Sequence, residues 1–213
     1  MFGRNAVIRR EVASSVASVR VVMVVVHPSS GSFSHAVARQ AEASLSSSGH
    51  TVVVHDLYAE GFQAAMSVAE RQAYHSPEPV VSDEVARHVA DIRAADMLVF
   101  VYPTWWSGLP AMLKGWLDRV MVPGVAFRFD DTNHVQPGLT NVKRLVGIST
   151  YGSRWFYVKL INDNGRRTLL RTVRLSTGLR TRSTWMPLYR MDTAGAARRE
   201  AFLRRIDRKM RSL

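Results

Sequence analysis

The stretch that most constrains this chain runs from Asp96 to Val120, DMLVFVYPTWWSGLPAMLKGWLDRV. Met97 to Tyr102 is a short apolar run that reads as a buried strand. It stops at Pro103, and an amphipathic helical run, Ala111 to Val120, begins just after Pro110. A strand, the loop Thr104-Trp105-Trp106-Ser107-Gly108 and a helix form the repeating unit of an open α/β sheet, which binds ligands outside the carboxyl ends of its strands. Two adjacent tryptophans in such a loop cannot both enter the strand's own core. They either cap that core or border a flat aromatic ligand whose polar edge meets the amides of a tight Ser-Gly turn.

The same unit recurs along the chain. Val21 to Val26 is a β-branched run with a single Met, the pattern of a central parallel strand buried on both faces. It leads into His27-Pro28-Ser29-Ser30-Gly31-Ser32-Phe33-Ser34 and a helical pattern from Phe33 to Leu45, with Ser32 or Ser34 as N-cap. A helix N-terminus after a Ser/Gly loop is either a well-capped turn or an anion site, because free amides and the helix dipole converge there. Thr51 to His55 reads as the second strand, Glu60 to Pro79 as an irregular excursion, and Ser82 to Ala95 as a helix with acids in its first turn. Val142 to Thr150 reads as the fourth strand, ending at Ser149-Thr150-Tyr151-Gly152-Ser153. Trp155 to Leu175 reads as a helix interrupted near Asn162 to Gly165, Thr181 to Leu188 as the fifth strand and Ala194 to Met210 as the last helix. The crossovers are long enough for right-handed connections, giving an α/β sheet of five parallel strands in the order 2-1-3-4-5 with helices on both faces.

Composition removes whole classes of function. With no Cys among 213 residues, disulfides, thiolate metal sites and cysteine nucleophiles are excluded, so redox chemistry needs a borrowed cofactor. The seven His show no H-E-x-x-H spacing, and no metal site is expected. There is no G-x-S-x-G elbow, no G-x-G-x-x-G and no G-K-[ST]. The apolar runs fall far short of the roughly 20 residues that span a bilayer, so the sequence predicts a soluble, cytoplasmic chain without membrane insertion. Residues 1-19 read as a flexible extension and residues 20-213 as one domain, since the length leaves no room for two ordinary nucleotide-binding domains.

Charge is lopsided: residues 1-141 hold 11 Lys and Arg against 13 Asp and Glu, a balance of −2, and residues 142-213 hold 18 against 4, a balance of +14. Such a half either solvates a basic face or meets a polyanion such as nucleic acid, an acidic membrane or dinucleotide phosphates. No helix-turn-helix, zinc-finger or aromatic-basic motif supports nucleic acid.

The string Y-P-x-W-W-x-G-x-P-A-x-L-K-G-W-x-D-R-V, from Tyr102 to Val120, resembles the flavin loop and following helix of the NAD(P)H:quinone reductase (DT-diaphorase-like) flavoproteins. H-P-x-x-x-S-F-S from His27 and D-L-Y from Asp56 are similar to the same family, over about residues 20 to 190. The resemblance implies a flavodoxin-like fold, FMN or FAD as cofactor, NAD(P)H as electron donor, two-electron transfer to a quinone or similar acceptor, and a homodimer. The segment Arg128 to Asn141 would be a hairpin projecting toward a partner subunit. His27, Ser32, Phe33 and Ser34 would contact the phosphate and ribityl groups. Pro103, Thr104, Trp105, Trp106 and Ser107 would meet the ring edge, and Thr150, Tyr151 and Gly152 its pyrimidine side. Tyr151 or Tyr157 would be the catalytic, ring-side tyrosine. Ser107 stands where the family often has an aromatic, and Tyr151 interrupts a turn that is often rich in Gly and Thr. A ping-pong mechanism follows from size, since donor and acceptor must share one exposed ring face. The alternatives are a flavodoxin-type electron carrier and a regulatory subunit of the potassium-efflux ancillary type.

Overall fold

The computed structural model describes residues 18–80 and 82–213. The predicted extension, residues 1-19, lies outside the described residues apart from its last two, where the Val19 carbonyl already accepts from the Thr51 amide. Five parallel strands pair edge to edge: β1 (Arg20–Val25), β2 (Thr51–Asp56), β3 (Met97–Pro103), β6 (Arg144–Thr150) and β7 (Arg182–Leu188). Between the third and fourth of these lies a separate antiparallel hairpin of β4 (Phe127–Phe129) and β5 (Val135–Pro137). The main sheet runs β2-β1-β3-β6-β7, which is the predicted order once the hairpin strands are set aside.

The central strands are apolar at consecutive positions because helices cover both faces. All seven residues of β3 are buried. On one face Val21, Met23, Val99 and Val146 pack beneath α1 (Phe33–Ser47) and α8 (Ala196–Arg211), through Val37, Leu45, Phe202 and Ile206. On the other, Val22, Val24, Leu98 and Phe100 meet α3 (Asp83–Ala94) and α4 (Ala111–Val120), through Val89, Ile92, Leu113 and Trp116. Two glycines permit close approaches. A methyl on Gly115 of α4 would fall onto the backbone of Ala64, and one on Gly147 of β6 onto the ring of Trp185 in β7.

One segment differs from the sequence reading, and a second, interrupted where expected near Asn162 to Gly165, is divided further. The excursion Glu60 to Pro79 contains a short helix, α2 (Val68–Ala73), closed by a capping box in which Ser67 and Glu70 exchange hydrogen bonds. Arg119 of α4 holds it in place, bonding Glu70 at 2.8 Å, Glu84 at 2.7 Å and the Gln63 carbonyl. The predicted helix Trp155 to Leu175 is four pieces: α5 (Trp155–Leu160), α6 (Asn164–Arg167), a π-helical stretch (Thr168–Val173) and α7 (Arg174–Thr177). Asn162 and Asp163, at φ 74° and 45°, make the break.

Candidate functional site

The loops after β1, β3 and β6 meet at the carboxyl edge of the sheet, as a parallel order reversing between β1 and β3 requires. In the first loop Ser32 is the N-cap of α1, its hydroxyl accepting from the His35 amide at 3.2 Å. The same hydroxyl lies 3.0 Å from His35 Nδ1, and His35 Nε2 lies 2.8 Å from Asp56 at the end of β2. The Phe33 ring turns to Phe202 and Ser34 is buried, so these two residues face the site with first-turn amides that have no intrahelical acceptor. His27 accepts from the Ser29 amide at 3.0 Å, and its ring centre lies 6.0 Å from that of Trp105, joining the first loop to the second. Partial burial, together with the charge of His35, holds His27 below the ordinary imidazole range.

In the second loop Pro103 is the buried last residue of β3. Trp105 and Gly108 close a tight turn, the Gly108 amide donating to the Trp105 carbonyl at 3.0 Å. Both central residues, Trp106 and Ser107, have positive φ, 46° and 59°, which makes this a type I′ turn built without glycine at its centre. Each such residue costs roughly 1–3 kcal/mol, and strain of this kind concentrates where a loop must present a side chain or an amide. Trp106 is fully exposed and Trp105 partly so; neither caps the core.

The third loop is tied to the second and to β7. The Thr104 amide donates to the Thr150 carbonyl at 2.8 Å, and the Thr104 and Ser149 hydroxyls lie 2.9 Å apart. Gly152 packs against the Asp192 carboxylate, which occupies the place of a side chain there. The two candidate tyrosines are placed differently. Tyr151 is buried and its hydroxyl donates to Asp163 at 2.8 Å; burial first, then that carboxylate, hold the hydroxyl well above its ordinary range. Tyr157 is half exposed at the start of α5. Thr104, Trp106, Ser107, Gly152 and both tyrosines line one cavity of about 240 Å³. That is smaller than the roughly 300–1,000 Å³ of an enclosed ligand pocket, and suits one edge of a ring rather than a whole cofactor.

Sequence reasoning missed Asp163, whose second carboxylate oxygen is buried without a partner. Its signal was the D-N-G break after Tyr157, which marks a left-handed position favouring Asp or Asn. Sequence reasoning also missed His35 and its link to Asp56. A larger concavity, about 800 Å³, lies at the other end of the sheet, between the β4–β5 hairpin and α7, remote from these loops.

Among the described residues His55, Glu60 and His88 bring ligand atoms within 4.8 Å of one another. Trp116 donates to His88 Nδ1 at 3.2 Å, so in the neutral ring the proton sits on Nε2, 3.2 Å from Glu60. A metal on Nε2 would require an imidazolate, so the hydrogen bonds argue against one.

A fit for a flavin rests on these groups together: first-turn amides for phosphate, a strained aromatic turn for a flat ring, and the amides of Gly152 and Ser153 for a polar edge, the Tyr151 amide being taken by the Leu188 carbonyl at 2.8 Å. The chain is 33% identical over 133 residues to an uncharacterized NAD(P)H oxidoreductase of Haemophilus influenzae, covering 62% of this chain and 64% of that one. It is 32% identical over 155 residues to rat NAD(P)H dehydrogenase (quinone) 1, covering 65% and 56%. The alignments thus span less than two thirds of those relatives' own lengths. Among solved structures, the NAD(P)H:quinone oxidoreductase of Methanothermobacter marburgensis superposes with a TM-score of 0.76 at 28% identity, over 92% of this chain and 98% of that one. Residues 19–210 match the profile of a family described by its flavodoxin-like fold, and the chain belongs to that family.

Proposed function

We propose that this chain is a flavin-dependent NAD(P)H oxidoreductase passing two electrons to a quinone or similar small acceptor, with residues 20-213 as its single flavin-binding domain. The meeting of three βα loops at one sheet edge carries the reading, and the relatives' names support it over an electron carrier or an ancillary subunit. FMN or FAD, when bound, supplies the chemistry of accepting and returning a hydride. The amides of Phe33 and Ser34, with Ser32 and His27 beside them, hold the phosphate. The Trp105–Gly108 turn and the Thr150-Tyr151-Gly152 loop hold the ring edges, with Trp106 bordering the ring and one ring face left exposed between the two loops. The three loops frame one exposed ring face, so donor and acceptor take turns over that face, each held at the roughly 3–3.5 Å that transfer needs. Tyr157, lining the cavity with its side chain half exposed, hydrogen-bonds the acceptor oxygen or gives it a proton. Tyr151 positions the loop, because its hydroxyl is engaged by Asp163.

A second copy of the chain completes the assembly in this proposal, seated on the hairpin and α7, where Phe129, Val135, Leu175 and Leu179 are exposed and the 800 Å³ concavity opens. No helix of the described residues is long and apolar enough to cross a membrane, and we place the activity in the cytoplasm, where NAD(P)H is regenerated.

The test has two parts. FMN or FAD at about 100 times its dissociation constant raises stability by about 2.7 kcal/mol, read as a shift in melting temperature. Double-reciprocal plots at several acceptor concentrations are parallel. Intersecting lines, or no bleaching of bound flavin when NAD(P)H is added alone without oxygen, sink the mechanism.

A further inference from the structure

The short helix α5 buries a single side chain, Val158, and turns its large apolar residues outward. Leu160, Trp155 and Phe156 are 81%, 61% and 54% exposed. Apolar residues scattered over a surface need no explanation, but a contiguous patch marks a contact. This patch adjoins the candidate cavity, which Tyr157 of the same helix lines. On its other side Trp155 and Phe156 wall a concavity of about 380 Å³ together with Tyr189, Arg190 and Arg198. Tyr189 and Arg198 also wall the next concavity, with Phe202 and Arg205 of α8, so the surface is continuous from the cavity mouth across α5 to α8.

Cations flank the apolar groups. Arg154, Lys159, Arg190, Arg198 and Arg205 are all exposed, and none of them forms an ion pair among the described residues. Two are held in position without being neutralised: Arg198 donates to the Tyr189 carbonyl at 2.7 Å and Arg205 to the Pro187 carbonyl at 3.2 Å, at the end of the edge strand β7. Nearby Asp192 packs against Gly152, and Glu200 pairs with Arg204 at 3.7 Å. A small dissolved polyanion would answer these charges alone. A nucleic acid would add bases that stack on Trp155 and Phe156 but would leave Leu160 in water. An anionic bilayer answers both parts, since its headgroups pair with guanidinium and ammonium while the acyl boundary takes Trp, Phe and Leu side chains.

We propose that this face docks the protein peripherally on an anionic lipid bilayer, with Trp155, Phe156 and Leu160 seated at the headgroup boundary and Arg154, Lys159, Arg190 and Arg198 on the lipid phosphates and carboxylates. The docking itself needs no cofactor. Its consequence rests on the proposed activity: the cavity that Tyr157 lines opens beside the bilayer, so an apolar acceptor dissolved in the lipid reaches it without crossing water.

The full chain is sedimented with vesicles of phosphatidylcholine, alone or mixed with phosphatidylserine. It pellets with the mixed vesicles, is released by high salt, and stays in solution with phosphatidylcholine alone. Trp155→Ser with Leu160→Ser weakens the binding at least about tenfold, because two groups seated in lipid are replaced by small polar ones. Lys159→Gln with Arg190→Asn weakens it by roughly fivefold per charge. Asn suits the φ of 54° at position 190. The same loss of charge at Arg180 and Arg182, at the opposite end of β7, leaves binding within about twofold. The proposal is overturned if the wild type does not pellet with the mixed vesicles, or if the Arg180 and Arg182 changes weaken binding as much as those at Lys159 and Arg190, which marks a general positive field. It is also overturned if a single-stranded oligonucleotide binds where the vesicles do not, or if Trp155→Ser with Leu160→Ser changes the mass of the protein in solution, which makes this face a contact between copies. Vesicle binding without NAD(P)H oxidation keeps the docking and sinks the activity. Activity without vesicle binding sinks the docking alone.

Discussion

At the β2 edge of the sheet charged side chains are closed on one another, and at the β7 edge they are left open. Arg20 pairs with Asp91 at 2.8 Å, His55 lies between Glu60 and Asp91, His88 between Glu60 and Trp116, and Arg119 joins Glu70 to Glu84. Arg154, Arg190 and Arg198 have no carboxylate partner among the described residues. A buried charge without a partner is costly, so the β2 side balances its charges and contributes to the fold. An exposed charge without a partner is cheap and free to meet a ligand. The local state of pairing therefore tells more about role than the overall balance of +12.

The sharpest way to break this contrast is Arg119→Met. It leaves Glu70 buried and uncompensated; burial alone raises that carboxyl, but the bonds from Arg119 and Ser67 now hold it below its usual range. A loss of about 3–5 kcal/mol is expected in urea denaturation. A loss below about 1 kcal/mol would show the β2-side network to be dispensable.

The tryptophans extend the contrast to apolar groups. Trp116→Ala removes a fully buried ring and the hydrogen bond to His88, and is expected to cost about 3–5 kcal/mol of stability. Trp106→Ala should leave thermal stability without flavin nearly unchanged, since the ring is solvated. It should weaken flavin binding by about three- to tenfold, the roughly 0.5–1.5 kcal/mol of an aromatic contact. Equal flavin affinity in Trp106→Ala and wild type would displace the ring from that wall.

Acid should act through the β2 side. Burial, then the charges of His55, Arg87 and Arg119, lower His88 to about 3, against the opposing pull of Asp91. An unfolded His titrates near 6.5, so between those values the unfolded state binds a proton that the folded state does not. This part of the stability is complete above about pH 6.5. It is lost as pH falls toward 3, with a slope of up to about 1.4 kcal/mol per pH unit. His88→Gln should flatten that slope in denaturation curves taken across the window, and an unchanged slope would assign the acid sensitivity elsewhere.

What the sequence made legible followed from local pattern. The runs Val21 to Val26 and Met97 to Tyr102 are apolar at every position because parallel strands are covered twice, and Pro103 and Pro110 bracket the loop between strand and helix. The Trp105-Trp106 pair was visible as a loop, but its type I′ geometry was not, because Trp and Ser are poor residues for positive φ and carry no turn signal. The helix inside Glu60 to Pro79 was missed although Ser67 and Glu70 spell a capping box. Six residues without tertiary anchoring are too few to stand out, and the anchor, Arg119, is 49 residues further on. The choice between Tyr151 and Tyr157 depends on the partner of one hydroxyl, Asp163; the helix interruption near Asn162 to Gly165 was visible, but the left-handed turn that carries Asp163 to Tyr151 was not.

Gly147 and Trp185 stand opposite each other in neighbouring strands, and the indole fills the volume that a methyl on the glycine would need. Gly147→Ala against the intact ring overpacks the site, and Trp185→Leu against the intact glycine opens a void, while the two changes together trade volume for volume. Neither position can drift alone without passing through an ill-fitting neighbour, because residues in contact do not act additively. Over the history of such a chain the pair moves as one character, and the order in which its two substitutions arrive decides which descendants remain folded.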